Sequence, residues 1–410
     1  MSIRSQFTLF SNQELNTPTP FIYLDNAATT QKPQSVIDVI THFYQHQNAN
    51  VHRGSYNTAN QVTARYEQAR VNLANFIGAK SDTNIVWTKG TTESINLVAY
   101  AWGETHVSDG DTIVVLGSEH HANFVPWQQL ALRKGANFEV VNVLENGDLD
   151  LAHYQNLMDK KPKLVAVQHC SNALGNIHPI KQLTELAKQV GATVLVDGAQ
   201  AVAHIKVDVQ DIGCDFYTFS GHKMYGPTGI GVLYIAEDIK HEVNPFHFGG
   251  EMIQSVTIEK TSFRPIPALL ETGTPNISGV LGFDAAVKFM QNEQTQHDLA
   301  STSDLYNYLI SQLSQIDKVR LFGSTENNIG VISFVVDGES VADIGALLNE
   351  QNIAVRCGHH CAMPLMQALK VNGTVRVSLA IYNDKSDVDG FINALKKSLD
   401  MLLTMKLERF

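Results

Sequence analysis

Cysteine is scarce in this sequence: four in 410 residues, at positions 170, 214, 357 and 361. In a chain without an export signal they do not make a disulfide framework, because reducing compartments keep thiols free, so free thiols are expected. Basic residues are in deficit as well, 30 Lys and Arg against 41 Asp and Glu, for a formal charge of −11. Phosphate backbones and anionic bilayers reward clustered cations, so no nucleic acid and no membrane surface is expected as a partner. Long apolar runs are missing, since no stretch approaches the roughly 20 residues that a bilayer-spanning helix requires. The opening "MSIRSQFTLFSNQELNTPTP" has neither the apolar segment nor the small-residue cleavage site of an export signal. A cytoplasmic protein is therefore expected. Repeats, low-complexity tracts and charge blocks are absent too.

What is present is an ordinary globular composition, 44% hydrophobic and 17% charged, in a chain long enough for a large core and two domains. "NIVWT" (84–88), "DTIVVL" (111–116), "KLVAVQ" (163–168), "TVLVD" (193–197), "DFYTFS" (215–220) and "GVLYI" (231–235) are short apolar β runs separated by helical segments. Such runs predict a buried, mainly parallel sheet. Val62, Tyr66, Ala69, Leu73 and Phe76 recur at helical spacing with Gly78 as a stop, and Pro33 suits the first turn of an earlier helix. An α/β domain with helices on both sheet faces follows. From about residue 280 the rhythm changes to a helical run, strands near 330–336 and 353–356, a helix at 340–351, the strand "TVRVSL" and a closing helix from about 386. That pattern predicts a smaller α+β domain. The expected division is a large domain over 21–285 and a small one formed by 1–20 and 286–410.

Ligands of open parallel sheets gather beyond the carboxyl ends of the strands, and here those exits are polar. "KGTTES" places Gly90, Thr91 and Thr92 at a helix start, where free N–H groups and hydroxyls make a phosphate cup or simply an N-cap. "EHHANF" puts His120 where a flat ring can stack on a planar cofactor, move protons, or serve only as a loop histidine. "DGAQA" supplies Asp197 and Gln200; a carboxylate there either holds a pyridinium nitrogen or caps the next helix. "SGHKMYGPTGIG" carries Lys223, whose amine, if buried, is free to condense with an aldehyde. "GPTGIG" precedes a strand instead of opening a helix, so it is no dinucleotide fingerprint. Ser220 and Lys223 spell S-x-x-K without the partner motifs of a β-lactam-type serine enzyme.

The densest chemistry lies in "VRCGHHCAMP", residues 355–364. A zinc clip, a disulfide, a catalytic thiol and a small apolar filler all compete for it. Five contiguous residues from Cys357 to Cys361 cannot readily wrap four ligands tetrahedrally around one ion, and no metal is expected. A cysteine beside histidines in a loop suits a nucleophile.

A phosphate cup, a stacking ring, a pyridinium-facing carboxylate and a condensing lysine in that chain order are the handles of pyridoxal 5′-phosphate. "VWTKGTTESINLVA", "SEHHANFVPWQ", "VDGAQA", "FSGHKMYGPTGIGVLY", "ETGTPNISGV" and "RCGHHCAMPLM" closely resemble the class V, fold type I cysteine desulfurases that need this cofactor, in the group that contains the SufS and CsdA enzymes. The resemblance runs from about residue 20 to 400. It implies that Lys223 bonds to the cofactor aldehyde and that His120 stacks on the ring. It also places Asp197 at the ring nitrogen, and Gln200 and Asn172 at the phenolic oxygen. Thr91, Thr92, Ser220 and His222 would bind the phosphate. Thr274, between Gly273 and Pro275, would complete the cup from the other subunit of a homodimer. Arg376, in an alternating strand with Thr374 and Ser378 on its face, offers a bidentate grip on an amino-acid carboxylate. His52, Arg53 and Arg356 match family positions near the substrate, and Cys361 matches the nucleophile.

The implied reaction takes L-cysteine to L-alanine and leaves a persulfide on Cys361. A sulfur-acceptor protein, in iron–sulfur cluster assembly or related sulfur supply, would then take the sulfur. Selenocysteine lyase, with L-selenocysteine as substrate, is the nearest alternative. An aminotransferase or kynureninase-like enzyme with an incidental loop cysteine is the next, and a scaffold without cofactor chemistry belongs to a different class. Two positions depart from the family pattern. Phe248 stands where a glycine is usual in the related "GGGEM" stretch, and Cys357 is unusual beside Arg356, with buried filler as its default reading.

Overall fold

The apolar β runs form the centre of the molecule in the computed structural model, which describes residues 2–11 and 20–407. Following a short β1 (Ile22–Tyr23), they are β2 (Ile85–Thr88), β3 (Thr112–Leu116), β5 (Leu164–Gln168), β6 (Thr193–Asp197), β7 (Phe216–Ser220) and β8 (Gly231–Ile235). With β4 (Asn137–Val141) they make a seven-stranded sheet in the order β2-β8-β7-β6-β5-β3-β4. Strand β8 is antiparallel to both neighbours, and the other pairings are parallel. Strand β4 escapes the sequence pattern for a physical reason. It is an edge strand and, unlike the buried edge strand β2, is partly exposed until Val141, so it lacks the uninterrupted apolar run of the central strands. Successive residues of each inner strand feed opposite cores: Val114 and Leu116 with Val165 and Val167 pack on one face, Ile113 and Val115 with Leu164 and Ala166 on the other. Two covered faces follow, as the continuous apolar runs require.

The predicted helix over 59–78 is observed as Asn57–Phe76, and the helix after Pro33 spans Gln34–His42. Strands β9 (Ile253–Val256) and β10 (Thr261–Phe263) form an exposed hairpin that the pattern did not reveal. Beyond the long helix Ile277–Gln291 lies a second, antiparallel sheet. Its strands are β11 (Val319–Phe322), β12 (Val331–Val336), β14 (Arg356–Gly358) and β15 (Thr374–Ser378), in the order β11-β12-β15-β14. One face of β15, Val375 and Val377, packs into a third core with the helices Glu293–Leu313, Val341–Asn349 and Lys385–Leu407. The other face, with Thr374, Arg376 and Ser378, turns toward the large sheet: Arg376 donates to the Asn172 carbonyl after β5, and Ser333, the partner of Thr374, donates to the Ala173 carbonyl.

Strand β1 pairs in parallel with β13 (Ile353–Ala354), and Asp25 bridges to Ser378. Strands β1 and β13 form a separate two-stranded sheet beside the small one, from which the chain crosses to the helix Gln34–His42. We propose that the large and the small sheet mark two domains that share the helix Ile277–Gln291, within which the division at 285/286 falls. Residues 1, 12–19 and 408–410, assigned to the small domain on sequence grounds, lie outside the described residues.

Candidate active site

The polar strand exits converge on a cavity of about 220 Å³ at the carboxyl ends of the large sheet, closed from the other side by the polar face of the small one. Thr91 and Thr92 enter it from the helix Thr91–Val98, His120 from the exit of β3, and Asn172 from the loop after β5. Asp197 and Gln200 come from the end of β6, Ser220, His222 and Lys223 from the end of β7, and Arg356 and Arg376 from β14 and β15. This juxtaposition is what parallel topology does to residues scattered over nearly 300 positions.

At one end, the Thr91 N–H donates to Ser220 Oγ at 2.8 Å, and the Thr91 hydroxyl lies 2.8 Å from the same oxygen. Gly90 precedes them at φ 152°, a conformation that favours glycine, and a Cβ there would stand 3.1 Å from Ser220 Oγ. The result is an uncrowded helix N-terminus ringed with hydroxyls, which suits a phosphate.

The middle is dominated by buried ionisable groups. Burial pushes the Lys223 amine down from its ordinary range; Asp197 pulls it back up, while Arg376 and Arg356 push it further down. Burial raises the Asp197 carboxyl, opposed by Lys223 and by the Ala199 N–H that donates to it at 2.9 Å. His120 is held down to about 3, first by burial and then by Lys223 and the nearby cations. Its Nδ1 accepts from Ala122 N at 3.0 Å, so the proton of the neutral ring sits on Nε2. Burial also lowers His222, to about 4.

Two buried polar atoms here have no partner among the described residues: Asn172 Oδ1 and Arg376 Nε. Arg376 is wholly buried, with Nη1 donating to the Asn172 carbonyl at 2.9 Å and Nη2 to Asp25 Oδ1 at 2.7 Å. Orphaned buried donors and acceptors are rare and mark where a polar ligand belongs. The cup, the flat histidine, the carboxylate and the unpaired amide and guanidinium fit pyridoxal 5′-phosphate carrying an amino acid.

Cys361 lies on the loop after β14. Arg356 Nη2 donates to its Sγ at 3.2 Å, its carbonyl accepts from His121 N at 2.7 Å, and its N–H donates to His359 Nδ1 at 3.2 Å. His360 and Cys361 both occupy the left-handed region, at φ 53° and 57°. Two successive non-glycine residues there store backbone strain of a kind that concentrates at functional sites. The loop is secured by Asn172 Nδ2, which donates to the His360 carbonyl at 2.7 Å, and by His360 Nε2, 2.8 Å from Thr374 Oγ1. His360 is thus spent on anchoring, away from any shared ligand with Cys357. That cysteine points to the opposite face of β14, against the third core, where burial raises it to about 11. The filler reading suits it.

Four expected site residues do not line this cavity within one chain. Cys361 lines an adjoining cavity of about 600 Å³ that shares Thr92, His120 and Ala122 with it. Thr274, with Gly273 and Pro275, and His52 line a separate cavity of about 850 Å³. His52 Nε2 lies 2.7 Å from Glu67 Oε1, and Arg53 pairs with Glu251. Gln200 reaches the site, but its amide donates to the Ala27 carbonyl at 2.7 Å. Sequence reasoning missed Asp25, the partner of Arg376. The only available signal was the polar "LDNAATT" directly after the β1 run. It also missed Glu119, the fully buried neighbour of His120 in sequence, which accepts from Asn123 Nδ2 at 2.8 Å and Gln168 N at 2.6 Å.

The buried histidines give a pH dependence. Burial lowers His120 and His178 to about 3 and His169 to about 4, from 6.5. The unfolded chain then binds protons that the folded state refuses. Their contribution to stability is full above pH 6.5 and is lost as the pH falls toward 3–4, at about 1.4 kcal/mol per unit of displacement for each group. A lower urea midpoint at pH 5 than at pH 7.5 is expected; equal midpoints would mean that these rings are hydrated.

A family profile described as Aminotransferase class-V matches residues 22–391. A cysteine desulfurase of Escherichia coli is 44% identical over 396 residues, 96% of this chain and 97% of that protein. One from Synechococcus elongatus is 44% identical over 96% of this chain, which spans 63% of that longer relative. The chain likewise spans 58% of a relative from Mycolicibacterium paratuberculosis. Among solved structures, the cysteine desulfurase CsdA from Escherichia coli superposes with a TM-score of 0.89 at 37% identity, covering 97% of this chain and 98% of that one.

Proposed function

The chain belongs to the class-V aminotransferase family and, within it, to the pyridoxal 5′-phosphate-dependent cysteine desulfurases, and from that premise we propose that it converts L-cysteine to L-alanine and leaves the sulfur on Cys361. The observation that carries the reading is the Arg356 guanidinium, which lines the Lys223 cavity and donates to Cys361 Sγ at 3.2 Å, so that one side chain spans both reacting groups.

Each side chain then has a task. Arg376 grips the substrate carboxylate through its unpaired Nε edge. Asn172 Oδ1 would orient the ring substituents, with Gln200 beside it held by the Ala27 carbonyl, and Thr91, Thr92, Ser220 and His222 would hold the phosphate. Asp197 would pair with the ring nitrogen and His120 would lie against the ring. When bound, the cofactor supplies an electron sink for the pair left at the substrate α carbon once its proton has gone. Lys223, kept from protonation by burial, would take that proton. The Cys361 sulfur attacks the substrate sulfur. An S–S bond forms, the Cβ–S bond breaks, and its electron pair stays on Cβ to be protonated, with His120 Nε2 as the nearby proton carrier. Cysteine and a thiol become alanine and a persulfide, with no outside oxidant or reductant.

A sulfur-acceptor protein completes the cycle, in iron–sulfur cluster assembly or related supply. A homodimer would let Thr274 of one copy close the phosphate cup of the other, and would bring His52 and Arg53 to the same mouth. The separate cavity that holds Thr274 and His52 supports this arrangement. A cytoplasmic location keeps the thiols reduced, and no described helix is long and apolar enough to cross a membrane. The second reading, selenocysteine lyase, needs the same cavity with a softer leaving group. Incubating the protein with pyridoxal 5′-phosphate and either L-cysteine or L-selenocysteine, and counting alanine, tests both. Alanine from cysteine at the greater kcat/KM is expected, and alanine from neither substrate would contradict the reading.

A further inference from the structure

The segment that crosses from β1 to the helix Gln34–His42 runs past the turn that carries Lys223, and four of its donors converge on a single oxygen. The carbonyl of His222, part of the peptide group that leads into Lys223, accepts from Thr30 N at 3.1 Å and Thr29 Oγ1 at 3.0 Å. It also receives Thr30 Oγ1 at 3.2 Å and Lys32 Nζ at 2.9 Å. Thr30 Oγ1 accepts in turn from Tyr225 N at 2.8 Å, so the segment grips the turn on both sides of Lys223.

A carbonyl has two lone pairs, and three donors from the two threonines already over-fill it. The fourth comes from the end of a long, rotamer-rich side chain. Lys32 Nζ donates to the Thr30 carbonyl at 2.5 Å besides that of His222. No carboxylate among the described residues compensates it, and burial alone displaces its pKa, to about 7. An amine ordered and desolvated at such expense, without an ion-pair partner, does not serve surface solubility. Nor does Lys32 line the Lys223 cavity.

We infer that Lys32 is a positioning residue for Lys223, its Nζ fixing the 222–223 peptide group so that the Lys223 side chain departs from one backbone geometry when it holds the cofactor and when it carries the α proton. The inference rests on the role proposed above for Lys223. The strap also explains the order of contacts along it: Asp25 on Arg376, Ala27 on Gln200, then 29–32 on His222, one short segment that locates three groups of the site.

The test is reconstitution of the apoprotein, followed as the visible absorbance that appears when Lys223 bonds to the added aldehyde. Lys32→Met is expected to slow that step about tenfold, the upper range of what one ordinary hydrogen bond is worth. Thr29→Val should slow it less, in the same direction, and covers the case in which Lys32→Met does not fold. Both apoproteins should melt within about 3 °C of wild type, since the changes are local. Pyridoxal without its phosphate should be slowed by the same factor, because the clamp acts on the lysine. A wild-type rate in Lys32→Met, or slowing confined to the phosphorylated aldehyde, would overturn the inference while leaving the cofactor reading intact. A wild-type protein that forms no visible band would overturn both.

Discussion

Replacing Cys361 by serine is expected to lower alanine formation from L-cysteine by about a thousandfold or more, the equivalent of roughly 4 kcal/mol of barrier, while leaving the cofactor spectrum unchanged. Serine keeps the size of the side chain and can still accept from Arg356 Nη2, which now stands 3.2 Å from the sulfur. The loop should therefore keep its left-handed geometry at 360 and 361, held by the Asn172 and Thr374 contacts that do not involve the sulfur. An alcohol oxygen, however, is a poor nucleophile toward sulfur and cannot store it as a persulfide. The measurement is alanine per active site in a single turnover, read beside the visible spectrum. An undiminished rate would make the loop cysteine incidental and favour the aminotransferase or kynureninase-like alternative.

The larger effect is expected at Lys223. Lys223→Ala should cut alanine production about ten-thousandfold or more, because one residue serves both as the covalent hold on the cofactor and as the base at the α carbon, and groups that act as a unit fail together. Borohydride should tether pyridoxal 5′-phosphate to the wild-type peptide that contains residue 223 and to none in the variant. Stability should move the other way. The amine is fully buried, with burial as its largest perturbation and with Arg376 and Arg356 disfavouring its charge against the attractions of Asp197 and Cys361, so removing it relieves a desolvation that those attractions only partly offset. A thermal midpoint for the apo variant equal to or above that of the wild-type apoprotein is expected. A large drop would mean that Lys223 is chiefly a structural partner of Asp197.

The site was legible in the sequence wherever a parallel strand delivers a residue at its carboxyl end. Thr91, His120, Asp197 and Lys223 each stand within a few positions of an apolar run, and topology alone brings them to one cavity. The same logic missed edge strand β4, whose half-exposed residues carry no continuous apolar run, and the hairpin β9–β10, whose tip residue Ile258 is wholly exposed. It also could not see contacts set by packing across the whole chain. Arg376 meets Asp25, 351 positions away, and Lys32 meets His222, 190 positions away. The polar "LDNAATTQKP" after β1 marks the segment but names neither partner. Gln200 entered the cavity as expected but spends its amide on Ala27, because a backbone carbonyl on the crossing segment arrives within reach. Thr274, His52 and Arg53 point to the limit of one chain: they line or border a different cavity, and only a second copy would bring them to this one.

Incubation of the holoprotein with L-cysteine, without reductant, followed by peptide mass analysis and alanine measurement, goes most directly to the central claim. One extra sulfur atom on the peptide containing Cys361, matched by one alanine per subunit, is the predicted result. Stoichiometric alanine with the added sulfur absent from Cys361, or found on Cys357 instead, would contradict it.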